Sequence, residues 1–326
     1  MRLILYGSFP ASETGRIGRH LTSDWEVVPV FNDAPAQEKR ESLAGAEVRV
    51  TSVYRSRDPP APKLRLLQCS STGIERIDLE HLPRGCTVCN VHGHEIAMAE
   101  YAICAVLDWA IGYRSLAASF SDGTWTLGEW VDGENHGEAF GRTLALLGFG
   151  RIGREIALRA KALGMSIAAL SAWRSAPPDP ALVDHPYGAE DWRAFVEAAD
   201  YLVVCCPLTP ETRGIIDADW FAAMKPSAVV VNVGRGPIVE EAALYAALSE
   251  GRIRGATIDV WYQYPPASGE RVRASQFAFH ELPNVVMTRH ASAHTEETWE
   301  RRFRAIAHNL EAFAQGRPLA NVISPT

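Results

Sequence analysis

Basic residues are outnumbered in this chain: 32 Lys and Arg stand against 39 Asp and Glu, for a formal net charge of -7 and a pI of about 5.8. No cationic field is present to hold nucleic acid or an anionic membrane, and neither is expected as a partner. Cysteine is scarce too, six in 326 residues, at positions 69, 86, 89, 104, 205 and 206 and mostly inside apolar runs. That usage excludes a disulfide-built scaffold and fits packed thiols in a reducing, cytoplasmic compartment. Cys86 and Cys89 make one C-x-x-C, but a strand through Thr87–Val91 would turn the two sulfurs to opposite faces, and no second pair completes a zinc or redox site. His92/His94 and His290/His294 also lack the remaining residues of a metal motif, so no metal is expected. Repeats and low-complexity tracts are missing from the sequence. Ile96–Leu116 is the one long apolar segment, and Glu100, Asp108 and Arg114 interrupt it, so it reads as a buried helix between domains instead of a membrane span. The apolar run at Met1–Gly7 is too short for a signal peptide and reads as a first strand.

What is present is ordinary globular composition, 47% hydrophobic and 22% charged, at a length that favours two domains. The most informative stretch is Leu144–Arg154, where an apolar run ends at Gly148 and Gly148, Gly150 and Gly153 take the spacing G-x-G-x-x-G as a helical pattern opens. The first glycine permits a tight turn, the second lets a pyrophosphate approach the backbone, and the third lets helix and strand pack closely. Anionic phosphates then meet the unpaired N–H groups of a helix N-terminus. Ile152, Ile156, Ala160 and Leu163 repeat at helical spacing, Gly164 closes the helix, and a second apolar run covers Met165–Leu170. Further runs at Tyr201–Cys206, Ala228–Val233, Ala256–Val260 and Val285–Thr288 alternate with helical segments such as Glu240–Ser249. This alternation predicts a parallel sheet covered on both faces.

The first ninety residues carry a similar pattern. Strands are expected at Leu3–Tyr6, Val27–Val30, Val48–Val53, Leu64–Cys69 and Thr87–Val91, with helices around Ser12–Leu21 and Ala36–Leu43, a small α/β layer of its own. Gly15–Arg19 echoes Gly150–Arg154 but lies inside a helical stretch and reads as helix surface. Ser71-Thr72-Gly73 directly follows a strand, where consecutive backbone N–H groups could hold a carboxylate or make an ordinary turn. Ser121–Gly141 is polar and Gly-rich, an extended connector whose Trp125 and Trp130 are expected to pack on a neighbour. Near the end, Thr295 with Glu296 and Glu297 starts a helix with an apolar stripe of Trp299, Phe303, Ile306, Leu310 and Phe313.

Chemistry is expected at the C-terminal ends of the later strands. Oxidising an alcohol with a nicotinamide needs a base for the hydroxyl proton and a cation for the developing oxyanion. His290 and Arg235, both just beyond strands, suit those tasks.

These motifs resemble the D-isomer-specific 2-hydroxyacid dehydrogenase family. The likeness is carried by Gly148–Gly153, Pro207-Leu208-Thr209-Pro210-Glu211-Thr212, Asn232–Val239, Gly255–Trp261, and Leu282–Val285 leading into His290. It implies a Rossmann-type nucleotide domain at residues 96–291 and a smaller flavodoxin-like substrate domain made from 1–95 with 292–326, usually in a homodimer. It also implies Arg235 on the substrate carboxylate and carbonyl, His290 as acid/base, and Ser71, Thr72 and Gly73 as the carboxylate-binding turn. Arg151, Ile152, Pro207, Thr212, Val233 and Asp259 match cofactor-contact positions, Asp259 near the carboxamide.

Three departures matter. Tyr264 stands where the family has a glutamate paired to the histidine, and it completes the expected catalytic set with Arg235 and His290. A phenol can hydrogen-bond but cannot supply negative charge, so a lower His290 pKa and a more acidic profile for carbonyl reduction are expected. Arg289 replaces a common proline and adds a cation. Ser171 occupies the place of the ribose-binding Asp, and with Arg174 nearby the site favours NADP, with NAD possible. The implied activity is hydride transfer between NADP or NAD and a small 2-keto or D-2-hydroxy acid. Formate-dehydrogenase-like chemistry and an NAD(P)-sensing binding protein are the alternatives.

Overall fold

In the computed structural model, residues 1–133, 135–171, 179–265 and 269–323 are described. The chain divides into two compact units, Met1–His94 with His294–Thr326, and Glu95–Ala293.

The first unit opens with β1 (Arg2–Tyr6), two short helices α1 (Ser8–Ser12) and α2 (Thr14–Gly18), β2 (Glu26–Val30), α3 (Ala36–Ala44), β3 (Val48–Thr51), β4 (Leu66–Cys69) and β5 (Thr87–Cys89). The second contains α4 (Glu95–Ile111), α5 (Tyr113–Ser119), α6 (Leu127–Val131), β6 (Thr143–Leu147), α7 (Arg151–Ala162), β7 (Ser166–Leu170), β8 (His185–Tyr187), α8 (Trp192–Ala198), β9 (Tyr201–Val204), α9 (Ala218–Ala223), β10 (Val229–Asn232), α10 (Glu241–Ser249), β11 (Gly255–Ile258) and β12 (Val285–Met287). The chain then returns to the first unit with α11 (Glu296–Ala314) and β13 (Val322–Ile323).

The seven-stranded sheet has the order β12-β11-β10-β9-β6-β7-β8, all parallel. Strand order reverses between β6 and β9, the switch point beyond whose strand ends doubly wound sheets bind their ligands. The central strands of the sheet are apolar on both sides because helices cover both faces. Ala145, Leu147, Leu202, Val204 and Val230 pack into one core, while Leu144, Leu146, Val203, Val229 and Val231 pack into the other. The six-stranded sheet runs β13-β5-β4-β3-β1-β2, a flavodoxin-like order with the antiparallel β13 added beside β5. Leu3, Leu5, Val48, Val50 and Leu66 meet Phe303, Ile306 and Leu310 of α11 on one face.

Two expected elements differ. Ile96–Leu116 is not one helix: α4 stops at Ile111, Gly112 adopts a left-handed φ of 73°, and α5 leaves at 55° to α4. Apolar composition does not mark such a break, whereas a glycine tolerates it. Among the described residues no single helix is long and apolar enough to cross a membrane. The segment after α5 is also not wholly extended, because a capping box between Thr126 and Glu129 starts α6. The Ser12–Leu21 region begins at the last residue of α1 and holds α2, and Gly15 and Gly18 of the glycine echo lie within α2.

Candidate active site

The glycine turn follows β6 directly. Gly148 has a φ of 101°, and a Cβ there would lie 2.8 Å from the Cys206 backbone. A Cβ on Gly153 would meet the Gly148 carbonyl oxygen at 2.6 Å, so both positions require glycine. Gly150 is different: nothing lies within 4 Å of its added Cβ, and it is the residue before α7, with no side chain to cap the helix. Open space beside uncapped first-turn N–H groups fits a dinucleotide pyrophosphate. Arg151 and Ile152 begin α7, the first exposed and the second half-buried. Ser171, half-buried, follows the end of β7, whereas Arg174 lies outside the described residues.

Across the switch point, β9 runs into Cys206 and Pro207. Thr212 is buried; its hydroxyl donates to the Pro207 carbonyl at 2.8 Å and accepts from the Thr209 N–H at 2.7 Å, closing that loop. Val233, also buried, donates its N–H to the Val204 carbonyl. After β10, Asn232 shapes the next turn by accepting from the Gly234 N–H at 3.1 Å and donating to the Arg235 carbonyl at 3.3 Å. Gly236 permits it, since a Cβ there would fall 2.5 Å from the Trp261 carbonyl oxygen. Arg235 is thereby held half-buried beyond the strand, its Nη1 donating to the Gly234 carbonyl at 2.9 Å.

Asp259 is the hub of the strand ends. Fully buried, its Oδ1 accepts from the Thr288 hydroxyl at 2.5 Å and the Ala291 N–H at 2.7 Å, and its Oδ2 from the Ser292 N–H at 2.9 Å. Burial alone would raise its pKa, but these hydrogen bonds from Ser292, Thr288 and Ala291 outweigh burial and hold it below the usual carboxylate value. The Asp259 carbonyl also takes the His290 N–H at 2.8 Å. His290 sits in this loop with a left-handed φ of 54°, a strained geometry for a non-glycine residue that the Asp259 bonds impose.

Tyr264 reaches back to the same point. Its Oη lies 2.8 Å from His290 Nδ1, and the Trp261 N–H donates to that Oη at 3.2 Å. Asp259, Tyr264 and His290 therefore form one hydrogen-bonded group. Sequence reasoning missed the residues that support it. The Trp261 indole donates to the Thr288 carbonyl at 2.7 Å, and the Tyr101 hydroxyl lies 2.6 Å from the Thr288 hydroxyl. No spacing rule links Tyr101 on α4 to Thr288 beyond β12.

In the first unit, Ser71, Thr72 and Gly73 follow β4 as expected. The Ser71 hydroxyl donates to the Gly73 carbonyl at 2.9 Å, the Thr72 hydroxyl to the Val91 carbonyl at 2.6 Å, and the Asn90 amide to the Thr72 carbonyl at 2.9 Å. The turn is thus tied through its hydroxyls and carbonyls. No group of three metal-ligating side chains occurs among the described residues. Burial pushes the Cys86 and Cys89 thiols each up to about 11, away from a reactive thiolate.

The sheet order and the glycine turn define a dinucleotide-binding α/β protein. Residues 103–292 match the model for the D-isomer specific 2-hydroxyacid dehydrogenase NAD binding domain. The D-3-phosphoglycerate dehydrogenase of Methanocaldococcus jannaschii is 32% identical over 91% of this chain, which spans 55% of that relative. The glyoxylate reductase of Thermococcus litoralis is 34% identical over 81% of this chain and 78% of its own length. The solved NADPH-dependent glyoxylate/hydroxypyruvate reductase of Sinorhizobium meliloti, in complex with NADP and sulfate, shares the fold with a TM-score of 0.76 at 24% identity, covering 99% of this chain and 98% of that one. The chain belongs to the D-isomer specific 2-hydroxyacid dehydrogenase family.

Proposed function

We propose that this protein is an NAD(P)-dependent 2-keto acid reductase that forms small D-2-hydroxy acids, with residues 95–293 as its dinucleotide domain and the other unit as its substrate domain. The observation that carries this reading is the Asp259-held loop that presents His290, with its Nδ1 on Tyr264, at the strand ends beyond the glycine turn. Gly148–Gly153, with Arg151 and Ile152, would hold a nicotinamide dinucleotide, with Pro207, Thr212, Val233 and Asp259 as its further contact positions, and when bound it would supply the hydride. Arg235 holds the substrate carboxylate and polarises its carbonyl, because a guanidinium offers a fixed fork of donors to developing oxyanion charge. His290 exchanges the proton of the carbonyl oxygen. Ser71–Gly73 is the carboxylate-binding turn: among the described residues the Thr72, Gly73 and Ile74 N–H groups donate to nothing in the chain, as an anion-holding turn requires.

NADPH is the preferred cofactor, because Ser171 offers no negative charge to repel a 2′-phosphate. The protein works in the cytoplasm, where its six unpaired thiols persist, without nucleic acid or membrane partners. It acts as a homodimer. Tyr113, Phe120, Trp125, Trp130 and Phe140 are 51 to 74% exposed. At about 150–250 Å² per aromatic side chain they offer several hundred Å² of apolar surface, comparable with the roughly 800 Å² per partner of a stable interface. Trp125→Asp with Trp130→Asp should then halve the mass measured by sedimentation.

The direct test follows NADPH and NADH absorbance with glyoxylate, hydroxypyruvate, pyruvate and phenylpyruvate. Turnover that is lost in His290→Ala and Arg235→Ala is expected. Tight cofactor binding without turnover of any 2-keto acid would contradict the reading and favour formate oxidation or nucleotide sensing.

A further inference from the structure

The Tyr264–His290 pair holds more than a substituted partner. An amide N–H only donates, so the bond from Trp261 N–H occupies a lone pair of Tyr264 Oη at 3.2 Å, which leaves the phenol proton free to lie along the 2.8 Å separation to His290 Nδ1. The two rings meet edge to face, with centroids 5.7 Å apart. An imidazole that accepts at Nδ1 carries its own proton on Nε2. The family's glutamate would impose the reverse, accepting from Nδ1–H and stabilising an imidazolium.

We propose that Tyr264 is the proton reservoir behind His290, and that the neutral imidazole relays its proton during carbonyl reduction. This rests on the reductase reading above. As hydride reaches the carbonyl carbon, the new alkoxide oxygen takes the Nε2 proton while the phenol proton passes to Nδ1. In the substrate one C–H and one O–H bond form. In the protein Nε2–H and Oη–H break and Nδ1–H forms, so the ring stays neutral and the negative charge moves from alkoxide to phenolate. Two electrons leave the reduced nicotinamide with the hydride, and nothing else is oxidised.

The surroundings suit this route. Burial holds the phenol above its ordinary value, the Trp261 N–H bond and the Arg235 charge pull it down, and the Asp259 charge raises it, for a net rise; it is therefore protonated at neutral pH. An alkoxide is a far stronger base than a phenolate, so the transfer runs downhill. The same N–H and guanidinium that lower the phenol's pKa stabilise the phenolate product. Asp259 spends its charge on the bonds that hold the loop. Tyr264 is 49% exposed, so water can return the proton after each turnover.

The relay makes a pH profile different from the one expected on charge alone. An imidazolium without a carboxylate partner would lose reduction as pH rises through a value below about 6.5. With the phenol as donor, kcat stays level from about pH 6 to about pH 9. Tyr264→Phe keeps the ring and removes the proton; its kcat should fall about tenfold at pH 8 and drop with rising pH through the imidazole range. Tyr264→Glu should restore rate through the imidazolium, up to a pH above the range of an unpaired imidazole and falling beyond it. A wild-type profile that falls through the imidazole range and is unchanged in Tyr264→Phe would overturn the relay. Should no 2-keto acid be reduced, the reductase reading fails by itself, and ¹⁵N spectra of His290 in the full chain decide the relay. An unprotonated Nδ1 at neutral pH, altered in Tyr264→Phe, supports it; a protonated Nδ1 overturns it.

Discussion

Two buried carboxylates organise the two units by the same chemistry and to different ends. Asp259 gathers the Thr288 hydroxyl and the Ala291 and Ser292 N–H groups. Glu311, on α11, gathers the N–H and hydroxyl of both Thr22 and Ser23 and the Trp25 indole. Neither carboxylate is paired to a cation in these bonds. Both are held charged by donors from one short loop, and for both the hydrogen bonds outweigh a burial that would raise the pKa. The difference lies in what the loop carries. Around Asp259 it carries His290 in a left-handed conformation, whereas around Glu311 it carries the approach to β2. A satisfied buried carboxylate is thus a fastening, and its function is read from what is fastened.

Breaking the two fastenings should separate rate from stability. The largest effect is expected from Asp259→Asn, which cannot accept from donors on both sides: kcat for 2-keto acid reduction should fall about a hundredfold as the His290 loop shifts, with a smaller loss in Tm. Glu311→Gln should leave kcat unchanged and cost about 2–3 kcal/mol in denaturant unfolding, since its amide faces donors with a donor. The sign of its pH dependence follows from a folded pKa lowered from 4.5 to about 2. The carboxylate stabilises fully above 4.5 and loses that contribution as pH falls towards 2. Unfolding of Glu311→Gln measured across this window should show a weaker acid dependence than wild type. Thr288→Val removes one donor to Asp259 and the contact with Tyr101; about a tenfold loss of kcat is expected, measured at saturating cofactor. Smallest of all, Ser23→Ala removes one hydroxyl from Glu311 and should cost about 1 kcal/mol, with no kinetic change. If Glu311→Gln lowered kcat as strongly as Asp259→Asn, the distinction between the two would disappear.

These fastenings also mark where sequence stops being legible. Gly148–Gly153 was readable because its pattern is local: the three glycines fall at fixed spacing within one strand–turn–helix unit, and Gly153 packs on the Gly148 carbonyl of that same turn. The parallel strands were readable because burial on both faces writes continuous apolar runs. His290 and Arg235 stood out as polar residues just past such runs. Yet the bond of Tyr101 to Thr288 joins residues far apart in sequence, and no periodicity records it. Arg49 is a sharper case. It lies fully buried in a strand otherwise read as apolar, its guanidinium 3.8 Å from the Tyr6 ring centre and 2.7 Å from Asp58. Only tertiary structure supplies both the aromatic face and the carboxylate that make that burial tolerable. Gly112 belongs with it, since an apolar segment around a glycine reads equally well straight or bent.

Cofactor choice can be sharpened separately by Ser171→Asp, which should move the NADPH/NADH ratio of kcat/KM towards NADH by about tenfold; an unchanged ratio would place the discrimination elsewhere.

The most direct test of the proposed reaction uses NADPH deuterated at the nicotinamide C4 position, with hydroxypyruvate or glyoxylate as acceptor, and the product analysed by NMR and chiral chromatography. Deuterium at C2 of the hydroxy acid, with the D configuration where C2 is a stereocentre, is the predicted result. Protium at C2 with both C4 deuterons of the cofactor tested, or an L product, would contradict it.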